Sequence, residues 1–416
     1  MINIKRKFNI KKLILSERHI IKNNHKYFKE IDEICFNSKN LYNTGLYRVR
    51  QHFFENKKYL NNFELINSLT SEKQDDYIKL PAQSSQQTLR MVDKNFKSFF
   101  SSLKVKKNGN YKKQINIPKY LKKDGRFITT YTKQTVSRKT LEDKGLLKPL
   151  KSNIFIKTKI EYNDLKQVRF VPKNGYYVVE ILYEVKTKSK LKDNKKYLSI
   201  DLGLNNLASC STNKKDVKNF IINGKPLKSI NQFYNKVKSK YNSKYEKNKQ
   251  NKNSNRLKSL SLKRTNKIND YFHKSSRYIV NHLVSNNINT IIIGYNKGWK
   301  QEINIGKKNN QKFVDIPFYK FIQMLEYKAE LEGINVIVHE ESYTSKCSFI
   351  DCEDIKKHEI YKGKRIKRGL FKSENGIEYN ADINGSYNIM KKVVGNSIHK
   401  MVDPIAVCSA PVIKTF

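Results

Sequence analysis

The chain has 416 residues, of which 84 are Lys or Arg and 37 are Asp or Glu, so its formal net charge is +47. A charge of one sign and this size attracts polyanions and opposes self-association, which predicts nucleic acid as the partner. No apolar stretch approaches the roughly 20 residues of a membrane-spanning helix, and the first residues lack a signal-peptide pattern, so we expect no membrane association. The five cysteines have no even, close spacing, which indicates a reducing, cytoplasmic location rather than a disulfide framework.

Residues 18–103 are expected to be mainly helical. In the stretch LPAQSSQQTLRMVDKNFKSFF, Leu89, Val92 and Phe96 recur at helical spacing and predict one apolar face. The other faces carry Gln and Lys. Such a polar row is usually solvated surface, but Gln side chains can also pair with an adenine edge in the major groove. In so basic a chain we predict that four residues of this region contact duplex DNA: Lys79, Gln83, Ser84 and Gln87.

Residues 104–190 have a different pattern, with short β-branched and aromatic runs. The stretches NIFIKTKI, QVRFVP and YYVVEILYEV are typical of strands, and the tripeptide KNG at 173–175 predicts a hairpin turn between the last two. These runs predict a small β domain. The polar stretch at 187–196 is interpreted as a linker to the next domain.

Residues 197–395 have the pattern of an α/β domain. The stretches YLSIDLGLNN, NTIIIGYNKGWK and NVIVHEESYTS each contain a short apolar run that is typical of a buried strand. An amphipathic helix is predicted around IPFYKFIQMLEYKAELEG, a very basic helical segment at about 226–286, and a last helix in NADINGSYNIMKKVV. Strands joined by crossover helices predict an α/β sheet.

Three separated acidic sites lie in this domain: Asp201 at one strand end, Glu340 and Glu341 at another, and Asp382 at a helix start. A lone Asp at a strand end is more often a turn or cap residue. Together, however, carboxylates that converge from several elements are what two Mg²⁺ ions require for phosphodiester hydrolysis. The pattern therefore indicates a two-magnesium site with Asp201 as the central ligand.

The stretches YLSIDLGLNNLASC, TIIIGYNKGWKQ, EESYTSKCSFID and NADINGSYNIMKK resemble the RuvC-type nuclease blocks of TnpB, a prokaryotic insertion-sequence protein related to type V CRISPR effectors. The resemblance implies a transposable-element-encoded, RNA-guided endonuclease that acts as a monomeric ribonucleoprotein. It would carry a guide RNA from the transposon end, recognise a short motif beside the double-stranded DNA target, and cut with one RNase H-like site. Base pairing would supply the sequence specificity.

The resemblance also implies a multidomain α+β organisation, in which a helical recognition domain and a β-barrel-like wedge domain precede the RuvC-like α/β domain. The expected boundaries are 1–17 for the start of the wedge domain, 18–103 for the recognition domain, 104–190 for the rest of the wedge domain, 191–400 for the nuclease domain, and 401–416 for a tail. Within the nuclease domain we expect the basic helical insertion at 226–286 and a basic loop or degenerate zinc ribbon at 346–376.

One departure from the family pattern concerns the middle catalytic Glu. The family places it just after the strand that here reads IIIGYN, where this chain has Gly294. The later HEESYTS segment offers Glu341, with Glu340 as the alternative, as a relocated ligand on a neighbouring strand. Side chains alternate across a strand, so only one of the two can face the ions, and an all-apolar strand leaves the choice open. The implied catalytic and magnesium-binding residues are Asp201, Glu341 and Asp382.

A second departure concerns zinc. Family members often have two CxxC pairs, whereas this chain has Cys347 and Cys352 in CSFIDC, with His358 further on. Four ligands at zinc-ribbon spacing are absent, so we expect no structural zinc, although the two thiols remain candidates. Tyr295 and Trp299, with lysines beside them, are candidates for stacking on exposed bases, and core packing is an equal alternative.

Two other functions are compatible with this pattern. Gly294 permits a nuclease-inactive, RNA-guided DNA-binding repressor, against which the retained Asp201 and Asp382 argue. A DNA-transposing recombinase is the third hypothesis, but the sequence shows neither a separate nucleophile nor a hairpin-binding signature to support it.

Overall fold

The computed structural model describes residues 12–109, 114–248, 254–296 and 314–416. The described residues divide into two compact units, one formed by Ile14–Val185 and one formed by Lys186–Phe416. Helices and several sheets occur throughout, so the expected mixed α+β class is confirmed. In the described ranges no helix is long and apolar enough to cross a membrane.

The first unit begins with a strand and continues with helices. Strand β1 (Lys12–Lys22) alternates exposed and partly buried side chains along most of its length, which is the period-2 pattern of an edge strand. Residues 18–22 belong to this strand, and the mainly helical region predicted over 18–103 begins further on, at Phe28. Four helices follow, of which the second begins with a capping box of Asn61 and Glu64. They are α1 (Phe28–Asn56), α2 (Asn62–Ser71), α3 (Asp75–Ile78) and α4 (Ala82–Lys107).

The sheet of this unit contains four strands in the order β1-β6-β5-β2. The predicted hairpin at 173–175 is confirmed, because β5 and β6 pair in antiparallel fashion around a turn that uses the positive φ of Gly175. Of the strand predicted at 153–160, only a two-residue piece forms. The remaining elements are β2 (Thr129–Thr132), α5 (Arg138–Lys144), β3 (Leu146–Leu147), β4 (Ile156–Lys157), β5 (Leu165–Lys173) and β6 (Tyr176–Lys186).

The helices and the sheet of the first unit share one hydrophobic core. Leu46 and Phe96 from the helices belong to the same buried cluster as Tyr131 and Phe170 from the strands. The segments predicted as separate helical and β domains thus form a single compact unit. The physical reason is that each offers one apolar face, and these two faces bury each other.

The second unit is built on a six-stranded sheet in the order β11-β10-β7-β8-β9-β15. Strands β7, β10 and β11 are parallel, and β8 runs antiparallel to its neighbours, so the predicted α/β sheet is confirmed. Residues 401–416 were predicted as a tail, but three of them form the edge strand β15, which pairs with β9. The strands are β7 (Tyr197–Leu202), β8 (Asn206–Thr212), β9 (Phe220–Asn223), β10 (Thr290–Gly294), β11 (Asn335–His339) and β15 (Val412–Lys414).

Helices cover both faces of this sheet. Ile291 and Ile293 belong to a core with α7 and α8, whereas the intervening Ile292 belongs to a core with α9, as strand alternation requires. The helices are α6 (Lys225–Lys247), α7 (Asn255–Ser285), α8 (Phe318–Leu331), α9 (Ala381–Val394) and α10 (Pro404–Cys408). A small sheet of β12 (Lys364–Lys367), β13 (Leu370–Lys372) and β14 (Glu378–Asn380) leads directly into α9. Part of the basic segment predicted at 346–376 therefore forms an antiparallel hairpin of β12 and β13.

Candidate active site

The ends of three parallel strands bring two of the predicted acidic sites to one edge of the sheet. Ile293 pairs with Ile200, and Gly294 pairs with His339 on the next strand. Asp201 follows Ile200 on the central strand, and Glu340 and Glu341 follow His339. Because parallel strands end at the same edge, residues far apart in sequence become neighbours there.

Helix α9 brings Asp382 to the same place. Two small residues allow the helix to lie close to β7: the Ser386 hydroxyl donates to the Ser199 carbonyl at 2.9 Å, and a Cβ on Gly385 would lie only 2.7 Å from Asp201 Oδ2. Asp382 is in the first turn of this helix, where the Asn380 side chain accepts a hydrogen bond from its amide. The close packing of α9 therefore places the Asp382 carboxylate within electrostatic range of Asp201.

Glu341 occupies space that Gly294 leaves free. A Cβ added at Gly294 would lie 2.6 Å from Glu341 Oε2 and 2.4 Å from Ile389 Cδ1 of α9, so any larger residue would collide with both. The Glu341 amide donates to Asn296 Oδ1 at 3.0 Å. Its Oε2 atom is buried and has no hydrogen-bond partner among the residues that the structure describes. The carboxylate thus points inward at the strand end where the family pattern has its own Glu.

Glu340 points the other way. Its side chain is 51% exposed and accepts a hydrogen bond from Lys392 Nζ at 2.7 Å and another from the Ser342 amide at 2.6 Å. Burial raises the pKa of Glu340, but the Lys392 and Ser342 hydrogen bonds outweigh that effect and hold it below its ordinary value. Glu340 is therefore a solvated, paired carboxylate outside the acidic cluster.

Nearby positive charges only partly offset the burial of the inward carboxylates. Burial raises the pKa of Asp201 well above its ordinary value, and the charges of Glu341 and Asp382 raise it further, while Arg365 acts in the opposite direction. Burial likewise raises the pKa of Glu341 to about 7, helped by Glu340 and opposed by Lys392. Clustered carboxylates whose pKa values are raised in this way mark a site that favours a bound cation.

Two residues that the sequence did not single out contact Asp382. Asn206 Nδ2 donates to Asp382 Oδ2 at 2.6 Å, and Arg365 on β12 forms an ion pair with Oδ1 at 3.2 Å. Arg365 lies in a run of basic residues, KGKRIKR, in which nothing local distinguishes it from its neighbours. Only the pairing of β12 with β13, ahead of α9, brings its guanidinium to the site.

The side chains of this cluster have the donor chemistry that magnesium requires. Across the described parts of the chain, no three His, Cys, Asp or Glu side chains are already arranged as a metal-holding group. The carboxylate oxygens nevertheless are the hard ligands that Mg²⁺ prefers, and the unpartnered Glu341 Oε2 is a buried acceptor without a donor. The donor set therefore fits a divalent cation, and Asp382 would exchange its Arg365 and Asn206 contacts to join it.

The predicted DNA-contacting residues lie around the start of α4. Lys79 is exposed, 3.8 Å from Asp76, and Gln87 is half-buried. Gln83 is also half-buried, and its amide is hydrogen-bonded to Gln134 and Thr132. Ser84 is completely buried, so its prediction as a DNA contact was wrong. Its side chain lies on the face of α4 that packs into the core, whereas the preceding residue, Gln83, is only partly buried.

Two of the remaining candidates, Cys347 and Tyr295, pack against other parts of the protein. Cys347 is buried with its thiol 3.4 Å from the Asp354 carbonyl, while Cys352 is exposed. Tyr295 packs against the core, its ring 6.2 Å from that of Tyr319. Trp299 lies outside the described residues.

Comparisons with known proteins agree with this architecture. The family model OrfB_IS605, described as a probable transposase, matches residues 180–300, and the model described as Cas12f1-like, TNB domain, matches residues 318–389. A solved Cas12f1–sgRNA–target DNA complex has a chain of similar fold, with a TM-score of 0.54, 16% identity, and coverage of 87% of this chain and 83% of that one. These matches define a protein built from transposase-type and Cas12f-type domains.

Two named relatives support a more particular assignment. The CRISPR-associated endodeoxyribonuclease Cas12f2 of Micrarchaeota archaeon is 28% identical over 256 residues, which is 55% of this chain and 43% of that protein. TnpB-like protein ORF457 of Acidianus two-tailed virus is 27% identical over 137 residues, 31% of this chain and 27% of that protein. The matched segments span less than half of either relative. The resemblance to TnpB that the sequence motifs indicated is thereby confirmed.

Proposed function

We propose that the protein is an RNA-guided DNA endonuclease encoded by a transposable element, which cuts double-stranded DNA beside a short motif. The observation that carries this proposal is the half-buried cluster of Asp201, Glu341 and Asp382, in which Glu341 Oε2 is buried without a hydrogen-bond partner among the described residues. Relatives named as endodeoxyribonucleases and as TnpB-like protein support the reaction class. The sheet order, with one antiparallel strand next to the central Asp201 strand, matches the RNase H-like arrangement expected for a RuvC site.

The carboxylates have complementary roles in this proposal. Asp201 lies on the central strand and interacts electrostatically with both other carboxylates, so it would be the central ligand and would hold the Mg²⁺ ions together with Glu341 and Asp382. When bound, the ions would supply Lewis-acid stabilisation of the scissile phosphate and a more acidic water. Asn206 and Arg365 hold the Asp382 carboxylate before the ions bind, and the low-dielectric surroundings of Asp201 strengthen the charge interactions at the site. No zinc is needed for these roles.

The expected partners are a guide RNA from the transposon end and a double-stranded DNA target. The charge of +47 supports tight binding to phosphate backbones. The first unit would supply the recognition and wedge functions, with the exposed side of α4 near the motif-bearing duplex. Base pairing with the guide would select the target, and the protein would act as a monomeric ribonucleoprotein.

The test is a set of carboxylate variants assayed for guided cleavage. We expect Asp201→Ala and Asp382→Ala to lower the cleavage rate by roughly 10³-fold or more, without changing RNA loading or target binding, because pairing needs no carboxylate. Glu341→Gln should behave in the same way. Glu340→Gln is the matched control, since it removes one charge from the adjacent, outward-facing residue and should leave cleavage within a few-fold of wild type.

Two outcomes would change the proposal. If Glu340→Gln and not Glu341→Gln abolishes cleavage, the ligand assignment is wrong although the nuclease remains. If the wild type binds guided DNA but never cuts it with Mg²⁺ or Mn²⁺, the protein is the nuclease-inactive repressor that Gly294 made conceivable.

A further inference from the structure

A row of buried polar side chains on α9 faces the loop that follows β11. Asn384 and Asn388 are completely buried and Lys391 is 4% exposed, and the three lie at helical spacing on one face. All of them donate to backbone carbonyls of the loop at 344–353. The acceptors are Cys347 for Asn384 at 2.8 Å, Thr344 and Cys347 for Asn388 at 2.9 and 2.7 Å, and Cys352 and Glu353 for Lys391 at 3.1 and 2.9 Å.

One of these contacts continues to Glu341. Thr344 is buried, its hydroxyl donates to the Glu341 carbonyl at 2.8 Å, and its amide donates to the same oxygen at 3.3 Å. On the other side the Glu341 amide is bound by Asn296. Asn388, Thr344 and Glu341 therefore form a continuous chain of hydrogen bonds. Its far end is the same helix that carries Asp382.

The chain of hydrogen bonds opposes a specific force. Asp201 and Glu341 repel each other while no cation lies between them, and the Glu341 side chain has no hydrogen bond at Oε2 to retain it. Glu340 shows that a carboxylate at this turn can instead be solvated and paired with Lys392. Fixing the Glu341 backbone from α9 keeps its carboxylate on the Asp201 side, and displacements of about 1 Å can change rates by roughly 10²-fold.

We propose that Thr344 and Asn388 are positioning residues, which hold Glu341 beside Asp201 at a fixed distance from the Asp382 helix. The inference rests on the proposed function for what the three carboxylates do. The proposal predicts that cation affinity, and not only overall stability, depends on the Thr344 hydroxyl and the Asn388 amide. Both of these groups donate to backbone carbonyls of the protein.

The test compares Thr344→Val with Thr344→Ser in the full chain loaded with its guide RNA. Val keeps the shape and loses the hydroxyl, whereas Ser keeps it. The readout is the Mn²⁺ concentration that gives half of the maximal rise in melting temperature, together with the cleavage rate. We expect this concentration to rise about tenfold for Thr344→Val and less than about twofold for Thr344→Ser. The matched control is Thr88→Val, because the buried Thr88 hydroxyl makes a similar bond to the Ser84 carbonyl, at 3.1 Å, in the first unit.

Asn388→Leu provides a second variant of similar size. Because both residues act along one route, the double variant Thr344→Val/Asn388→Leu should shift the Mn²⁺ concentration by less than the product of the single shifts. The proposal is overturned if Thr344→Val matches wild type, or if Thr344→Ser or Thr88→Val shifts as much as Thr344→Val. If the variants show the expected Mn²⁺ dependence but the wild type cuts no guided DNA, the nuclease function is wrong and the positioning roles are still supported.

Discussion

Asp201 and Glu341 are partly buried like charges whose neighbouring cations, Arg365 and Lys392, form ion pairs with other carboxylates. Arg365 is the positive group that lowers the pKa of Asp201, and its ion pair is with Asp382 instead. Such an arrangement disfavours the folded state when no cation is bound, and it is common where function rather than stability determines the residue. The acidic cluster is therefore a local source of instability that metal binding would relieve.

This instability predicts a pH dependence of folding in the metal-free protein. The pKa of Glu341 is raised to about 7 and that of Asp201 is also raised, so the folded state holds protons that the unfolded state releases from about pH 4 upward. The associated stability is fully present below about pH 4 and is lost as pH rises through 7. We expect Asp201→Asn to be more stable than wild type at pH 8 in EDTA, by roughly 1–3 kcal/mol, with little difference at pH 4.

Thermal denaturation in EDTA across this pH range measures the effect. Asp270→Asn is the control, because the Asp270 side chain is 63% exposed on α7 and its removal should not alter the pH profile. An Asp201→Asn variant that melts below wild type at pH 8 would show that the cluster is not electrostatically strained.

Between elements, small residues determine how closely the catalytic strands and α9 approach. Gly294 at the end of β10 and Gly385 in α9 each leave space that a neighbouring carboxylate occupies. In the sequence, Gly294 appears as the loss of a metal ligand. In the structure, its lack of a side chain is what leaves room for Glu341. Its effect could not be seen from the IIIGYN stretch alone, because Glu341 and Ile389 reach Gly294 from two other segments.

Gly294→Ala is expected to reduce guided cleavage by roughly 10²-fold or more, since its Cβ would displace Glu341 Oε2 or push α9 outward. Gly45→Ala is the matched control. Its Cβ would meet Leu89 Cδ2 at the same 2.6 Å, but in the first unit, so it should lower the melting temperature without affecting the metal dependence. Cleavage rates measured over a range of Mg²⁺ concentrations distinguish the two. Wild-type cleavage by Gly294→Ala would contradict the placement of Glu341.

The residues predicted to contact the motif-bearing duplex lie around the start of helix α4. With Ser84 buried and the Gln83 amide engaged by Gln134 and Thr132, Gln87 and Lys79 become the stronger candidates for contact with the motif-bearing duplex. Gln87→Ala should relax the motif preference in a depletion assay by about 1–3 kcal/mol at one base pair. Ser84→Ala should leave the preference unchanged. If Gln87→Ala also leaves it unchanged, α4 has only a structural role.

On the scale of the whole molecule, the charge of +47 predicts strongly salt-dependent RNA binding. If the protein neutralises six or more phosphates, its affinity should fall by roughly 10³-fold or more between 50 and 200 mM salt, through counterion release. Non-specific RNA should be lost first. RNA that copurifies at high salt, from cells expressing the protein with its flanking element, should then be one defined species. Recovery of only heterogeneous host RNA would contradict the guided function.

Several features could be predicted from the sequence because they depend on local patterns. The apolar runs before Asp201 and before Glu340 predicted strands that both form, although the second, β11, lies at the sheet edge and is only partly buried. The helical periodicity of the α9 segment predicted a helix that starts near Asp382. These are the elements that carry the acidic site, and motif spacing alone was enough to relate them to TnpB. The turn at Gly175 was likewise predictable, since a two-residue hairpin needs a positive φ.

Other features were decided only by the tertiary structure. Val336, Ile337 and Val338 of β11 are all apolar, so the sequence could not show which of Glu340 and Glu341 points inward. The structure decided it, because Glu341 fills the space beside Gly294 and Lys392 binds Glu340. The burial of Ser84 and the Arg365–Asp382 ion pair likewise required distant segments to be packed together. Sequence periodicity reports the face of an element, but burial and charge pairing depend on what packs against that face, and here the partners lie far away along the chain.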